Sequence, residues 1–74
     1  MPKVPRISGR EAVRAFQRAG WTVARQTGSH VILRKADAAF RLSIPMHDLV
    51  GVGLLRDQIA RAGLTVEEFI GFLG

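Results

Sequence analysis

The sequence predicts a two-layer α+β domain: a helix, a three-stranded antiparallel sheet, a second helix and a short C-terminal helix. Three observations predict it. Capping boxes open the first and last helical stretches. Between residues 21 and 45, three strand-like runs are joined by connections too short for parallel crossovers. After residue 53, apolar residues return at helical spacing.

Each element follows from its own residues. In Ser8-Gly9-Arg10-Glu11 the serine hydroxyl can accept from the Glu11 amide while the Glu11 carboxylate reaches back. The helix so opened carries Val13, Phe16 and, more weakly, Ala12 and Ala19 on one stripe, and Gly20 falls at its left-handed C-terminal cap. Trp21 to Gln26 reads as a first strand, Thr27-Gly28 as a turn, and Ser29 to Lys35 as a second strand. Ala36 to Ala39 makes a short connection, and Phe40 to Pro45 is a third strand ended by its proline. Leu54, Leu55, Ile59 and Ala62 recur at helical spacing before Gly63. Thr65-Val66-Glu67-Glu68 is the second capping box, with Phe69, Ile70 and Leu73 expected on the inner side of the last helix.

The chain of 74 residues is read as a single domain, 1–74. A domain this small buries only about 60% of the surface its unfolded chain exposes, so its core must be compact. With 47% hydrophobic and 23% charged residues the composition is that of a globular chain rather than a disordered one. The absence of cysteine excludes a disulfide scaffold and the common zinc knuckles. The apolar run Leu49 to Leu55 is too short to cross a bilayer, and Met1 to Arg6 lacks the apolar stretch of a signal peptide. A soluble, cytoplasmic protein with no membrane partner is expected.

Charge is unevenly distributed. Residues 1–41 hold nine bases and two acids, a net +7, whereas residues 42–74 carry a net −2. Nine of the eleven bases are arginine, whose planar fork suits phosphate. The bland reading is ordinary solvating charge; the sharper one is a basic face for nucleic acid.

Strand alternation predicts what that face presents. Phe40, Leu42 and Ile44 should point one way with Val31 and Leu33, toward the helices. The open face would then present His30, Ile32, Arg34, Arg41 and Ser43, with Thr22 and Gln26 from the first strand. The sequence does not give the register of the first strand, which decides whether Arg25 or Gln26 lies beside His30.

His30 is the best candidate for chemistry. A neutral imidazole can accept the proton of an RNA 2′-hydroxyl as it attacks the adjacent phosphorus. Arg34, Arg41 or Lys35 could offset charge on the equatorial oxygens, and Ser29 or a turn amide at Gly28 could add a hydrogen bond. Taken alone, though, a single histidine at the head of a strand more often caps or solvates it. His47 reads better as a turn residue than as a second acid–base group. His30, His47 and Asp48 have no recognised metal-ligand spacing, so neither metal nor cofactor is expected. Leu54 to Phe72 also invites comparison with a DNA-reading helix-turn-helix. Its second helix carries Glu67 and Glu68 and no base, so direct sequence-specific DNA reading is rejected.

Several segments together resemble one family. These are Val4-Pro5 ahead of Ser8-Gly9-Arg10-Glu11, Gly20-Trp21, Arg25-Gln26-Thr27-Gly28-Ser29-His30, Ile44-Pro45-Met46-His47, Gly53-Leu54-Leu55-Arg56, and Ala62-Gly63-Leu64-Thr65-Val66-Glu67-Glu68-Phe69. The chain resembles the HicA toxins of bacterial toxin–antitoxin modules over essentially its whole length. The resemblance implies a double-stranded-RNA-binding-domain-like fold and ribosome-independent cleavage of mRNA. It matches His30 to the family's catalytic histidine and implies a HicB-type antitoxin as partner. It thereby turns the reading of His30 from structural to catalytic. Where the family usually has Gly-Thr-Leu-Arg, this chain has Gly53-Leu54-Leu55-Arg56, which removes an expected helix-capping hydroxyl; the loop from His47 to Gly53 is also shorter. The expected RNA contacts are Arg25, Gln26, Gly28, Ser29, Arg34, Lys35 and Arg41. The competing readings are a non-catalytic RNA-binding module of the same fold and an interaction protein that has lost its activity.

Overall fold

The structure, a computed structural model, describes residues 2–74. Its elements are α1 (Gly9–Arg18), β1 (Thr22–Thr27), β2 (His30–Arg34), β3 (Leu42–Pro45), α2 (Val52–Arg61) and α3 (Val66–Gly71). The α+β class and element order are those the sequence predicts. The three strands form one antiparallel sheet in the order β1-β2-β3.

Both capping boxes form. Ser8 Oγ accepts from the Glu11 amide at 3.1 Å while the Glu11 carboxylate accepts from the Ser8 amide at the same distance. Thr65 and Glu68 repeat the pattern at the start of α3. α1 ends as a Schellman motif: Trp21 N–H donates to the Phe16 carbonyl and Gly20 N–H to that of Gln17. Gly20 sits at φ +103°, which a side chain would strain. α2 closes with the same pair of bonds around Gly63.

α1 and α2 cover one face of the sheet, and α3 packs against both helices. Phe16 of α1 and Phe69 of α3, both fully buried, meet with ring centroids 4.9 Å apart. Leu33, Leu42, Ile44, Leu55 and Ile59 complete the centre of the core, and Trp21 closes it beside the α1–β1 turn. The segment before α1 contributes as well. Val4 and Ile7 are buried, and the Ile7 carbonyl accepts from the Val50 amide at 2.8 Å.

Three local expectations change. β3 begins at Leu42 rather than Phe40, because the Lys35 carbonyl turns back to accept from the Ala38 amide and the ladder ends at Leu33–Leu42. Phe40 therefore leaves the predicted inner row and stands 60% exposed. α2 starts two residues before Leu54, with Gly51 at its cap and no side-chain cap bond. A hydroxyl at position 54 would thus lie inside the first turn rather than at the cap. On α3, Phe69 is buried as expected but Ile70 faces out.

Candidate nucleic-acid interface and active site

The site begins at the β1–β2 hairpin. Thr27 and His30 are paired, leaving Gly28-Ser29 as a two-residue turn. Gly28 has φ +57°, whereas Ser29 has no positive φ, the pattern of a type II′ turn. An added Cβ on Gly28 would meet nothing within 4 Å, so backbone conformation alone calls for glycine there. That turn sets His30 as the first residue of β2, exposed, with Ser29 Oγ 3.5 Å from its Nδ1.

β3 anchors the other side. His30 is opposite Pro45, and the Met46 amide donates to the Ser29 carbonyl at 2.6 Å. The start of α1 braces the same segment: Gly9 N–H donates to the His47 carbonyl at 2.9 Å. A Cβ at Gly9 would collide with the Pro45 carbonyl oxygen, so this close approach requires glycine. His47 itself is exposed, two residues beyond the end of β3.

Register decides what shares a face with His30. Directly paired residues lie on the same side of a sheet. Val31 and Leu33 are buried against the helices, so His30, Ile32 and Arg34 occupy the opposite face. Their partners there are Thr27 and Pro45, Arg25 and Ser43, and Thr22 respectively, Arg34 being matched only on β1. The register of β1 shifts between Val23 and Arg25, so Ala24 is an extra residue in that strand. The bulge reverses the alternation beyond it. Arg25 comes to the His30 face, and Gln26, paired with Val31, goes to the other. Straight alternation had put Gln26 on the open face; no propensity signal in Thr22–Thr27 marks the bulge. Arg25 is diagonal to His30, within reach of a long side chain.

Arg34, Lys35 and Arg41 gather at the opposite end of β2. Four residue steps along the strand take the chain from His30 to Arg34, about 13 Å. They group around a cleft beside the β2–β3 connection, so of the expected basic contacts Arg25 is the one set near the histidine. Among the described residues no group of three or more His, Cys, Asp or Glu side chains is placed to hold a metal ion. No helix among them is long and apolar enough to cross a membrane.

A family model described as the HicA toxin of bacterial toxin–antitoxin systems matches residues 9–64, from the first residue of α1 to just beyond α2. The chain belongs to the HicA toxin family. The match takes in the whole sheet, the hairpin with His30 and the Gly9–His47 brace. It assigns this HicA chain to a toxin–antitoxin system, which by its nature includes an antitoxin partner. No curated protein and no solved structure gives a significant match.

Proposed function

We propose that this HicA chain is an endoribonuclease that cleaves mRNA without a metal ion, with His30 as the acid–base group. A HicB-type antitoxin is its neutralising partner, and the cytoplasm, where mRNA is translated, is its site of action. The observation that carries the reading is an exposed imidazole on the uncovered sheet face, held by a two-residue turn, with Arg25 on the same face.

In the reaction that fits, the His30 imidazole takes the proton of a 2′-hydroxyl as that oxygen attacks the adjacent phosphorus. The 2′-O–P bond forms and the 5′-O–P bond breaks, leaving a 2′,3′-cyclic phosphate and a 5′-hydroxyl. Solvent on this open face supplies the proton for the departing 5′-oxygen. Arg25 offsets the charge that builds on the equatorial oxygens. Ser29, beside Nδ1, helps orient the ring, and the turn at Gly28 sets the approach of the backbone.

The test is cleavage of a labelled structured RNA in excess EDTA by the intact chain and by His30→Ala. The intact chain is expected to leave cyclic or 2′/3′-phosphate ends, and the variant to lose about 10²–10⁴ in turnover while keeping its RNA affinity. Equal cutting by both removes His30 from the chemistry. Binding by both with no cutting reduces the chain to an RNA-binding module.

A further inference from the structure

The open face does not end at the histidine. Between the α1–β1 turn and the β2–β3 connection lies an open cleft of about 620 Å³, with Thr22, Arg34, Lys35, Asp37, Phe40 and Arg41 in its lining. Three cations face one carboxylate there. Lys35 is settled in the wall, since its Cε would lie 3.4 Å from a Cβ added to Gly20. Among the described residues, Phe40 is the most exposed of the large hydrophobic side chains, at 60%. Its ring is held by Arg61 of α2, whose guanidinium carbon is 5.6 Å from the ring centroid, and Arg61 is itself tied to Asp57 at 3.1 Å.

With Arg61 against it, the Phe40 ring still stands largely open to solvent beside the cations of the cleft. Single-stranded nucleic acid is the ligand whose chemistry uses both parts: phosphates meet the cations and a base stacks on the ring. The spacing fits the same strand that would reach His30. About 13 Å along β2 corresponds to at most about four nucleotides at the ~3.4 Å rise of a helical strand, and to fewer in an extended one.

We infer that this cleft is a nucleotide subsite for single-stranded RNA, in which Arg34, Lys35 and Arg41 hold a backbone phosphate and Phe40 stacks a base, two to four nucleotides from the bond cleaved at His30. The inference deepens the ribonuclease reading and rests on it for the identity of the ligand. The subsite sets a minimum substrate length, because a strand too short to span the two ends forfeits the second set of contacts.

The experiment is a length series of single-stranded oligoribonucleotides, from dinucleotide to octanucleotide. Cleavage is read as kcat/KM, and binding by fluorescence anisotropy on 2′-O-methyl versions that carry no nucleophile. The intact chain is compared with Phe40→Ala, Phe40→Leu and the double variant Arg34→Ala/Arg41→Ala, each checked for folding by circular dichroism. Affinity and kcat/KM should rise with length in the intact chain. Each variant should lose roughly tenfold on the octanucleotide, flattening the length dependence; Phe40→Leu, which keeps the bulk but not the π face, should lose it too. Variants that keep the full length dependence overturn the subsite. So does an equal loss on dinucleotide and octanucleotide, which would place these residues at the reacting phosphate. If the intact chain cuts nothing yet shows length-dependent binding that the variants abolish, the nuclease reading fails and the subsite stands.

Discussion

Arg25 and Gln26 are adjacent in the chain and stand on opposite faces of the sheet, and one extra residue, Ala24, separates their fates. Arg25→Ala is expected to lower RNA cleavage about tenfold, less than the loss for a buried transition-state donor because water screens this face. Gln26→Ala should leave cleavage within about twofold, as its amide bonds only the neighbouring Gly28 carbonyl, at 3.5 Å. Initial rates on one RNA, measured side by side, check the pair, and a larger loss for Gln26→Ala would contradict the register. The place of His30 was legible, at the head of a strand after a Gly-Ser turn, whereas residue type and place alone favoured a structural role for it. Arg25's position was not legible, since a bulge is a property of two strands and the sequence of one does not announce it. Phe40 misled for a related reason: alternation carried it into the core row, but the ladder that enforces alternation stops at Leu42.

Among the elements, β3 depends most on a contact from outside the sheet. Its backbone faces β2 on one side, while on the other the Ser43 amide donates to Gln58 Oε1 at 3.0 Å. Gln58 is the one buried polar side chain among the described residues, and it comes from α2. It thus satisfies the strand edge and fixes the position of the helix together. Gln58→Ala should cost about 1–3 kcal/mol, the penalty for leaving a partly buried donor unpaired; urea denaturation measures it. A loss below about 0.5 kcal/mol would mean that water replaces the amide without difficulty. The helix ends were readable because caps are local, as with Ser8-Glu11 and Thr65-Glu68. The start of α2 was less so, because Gly51 supplies no capping side chain to mark it.

For the whole molecule, the Phe16–Phe69 contact joins the first and last helices and closes the core. A chain of this length has a total stability of only about 4–11 kcal/mol, while truncating a buried phenylalanine costs about 3–5 kcal/mol. Phe69→Ala should therefore lower Tm by at least about 12 °C in a domain of this size, read by thermal circular dichroism. A shift of a few degrees would show that α3 is not integral to the core. By itself the sequence determined the α+β class, the order of elements, both capping boxes, the hairpin at Gly28, and the histidine presented there. All of these rest on interactions within a few residues or on the period of a single element. Tertiary structure alone decided the β1 register, the outward turn of Phe40, the burial of Val4 and Ile7, and the separation of the basic residues into Arg25 near His30 and a cluster at the far end of β2. Those outcomes depend on which distant backbone groups pair and which surfaces the helices cover, and no single segment carries that information.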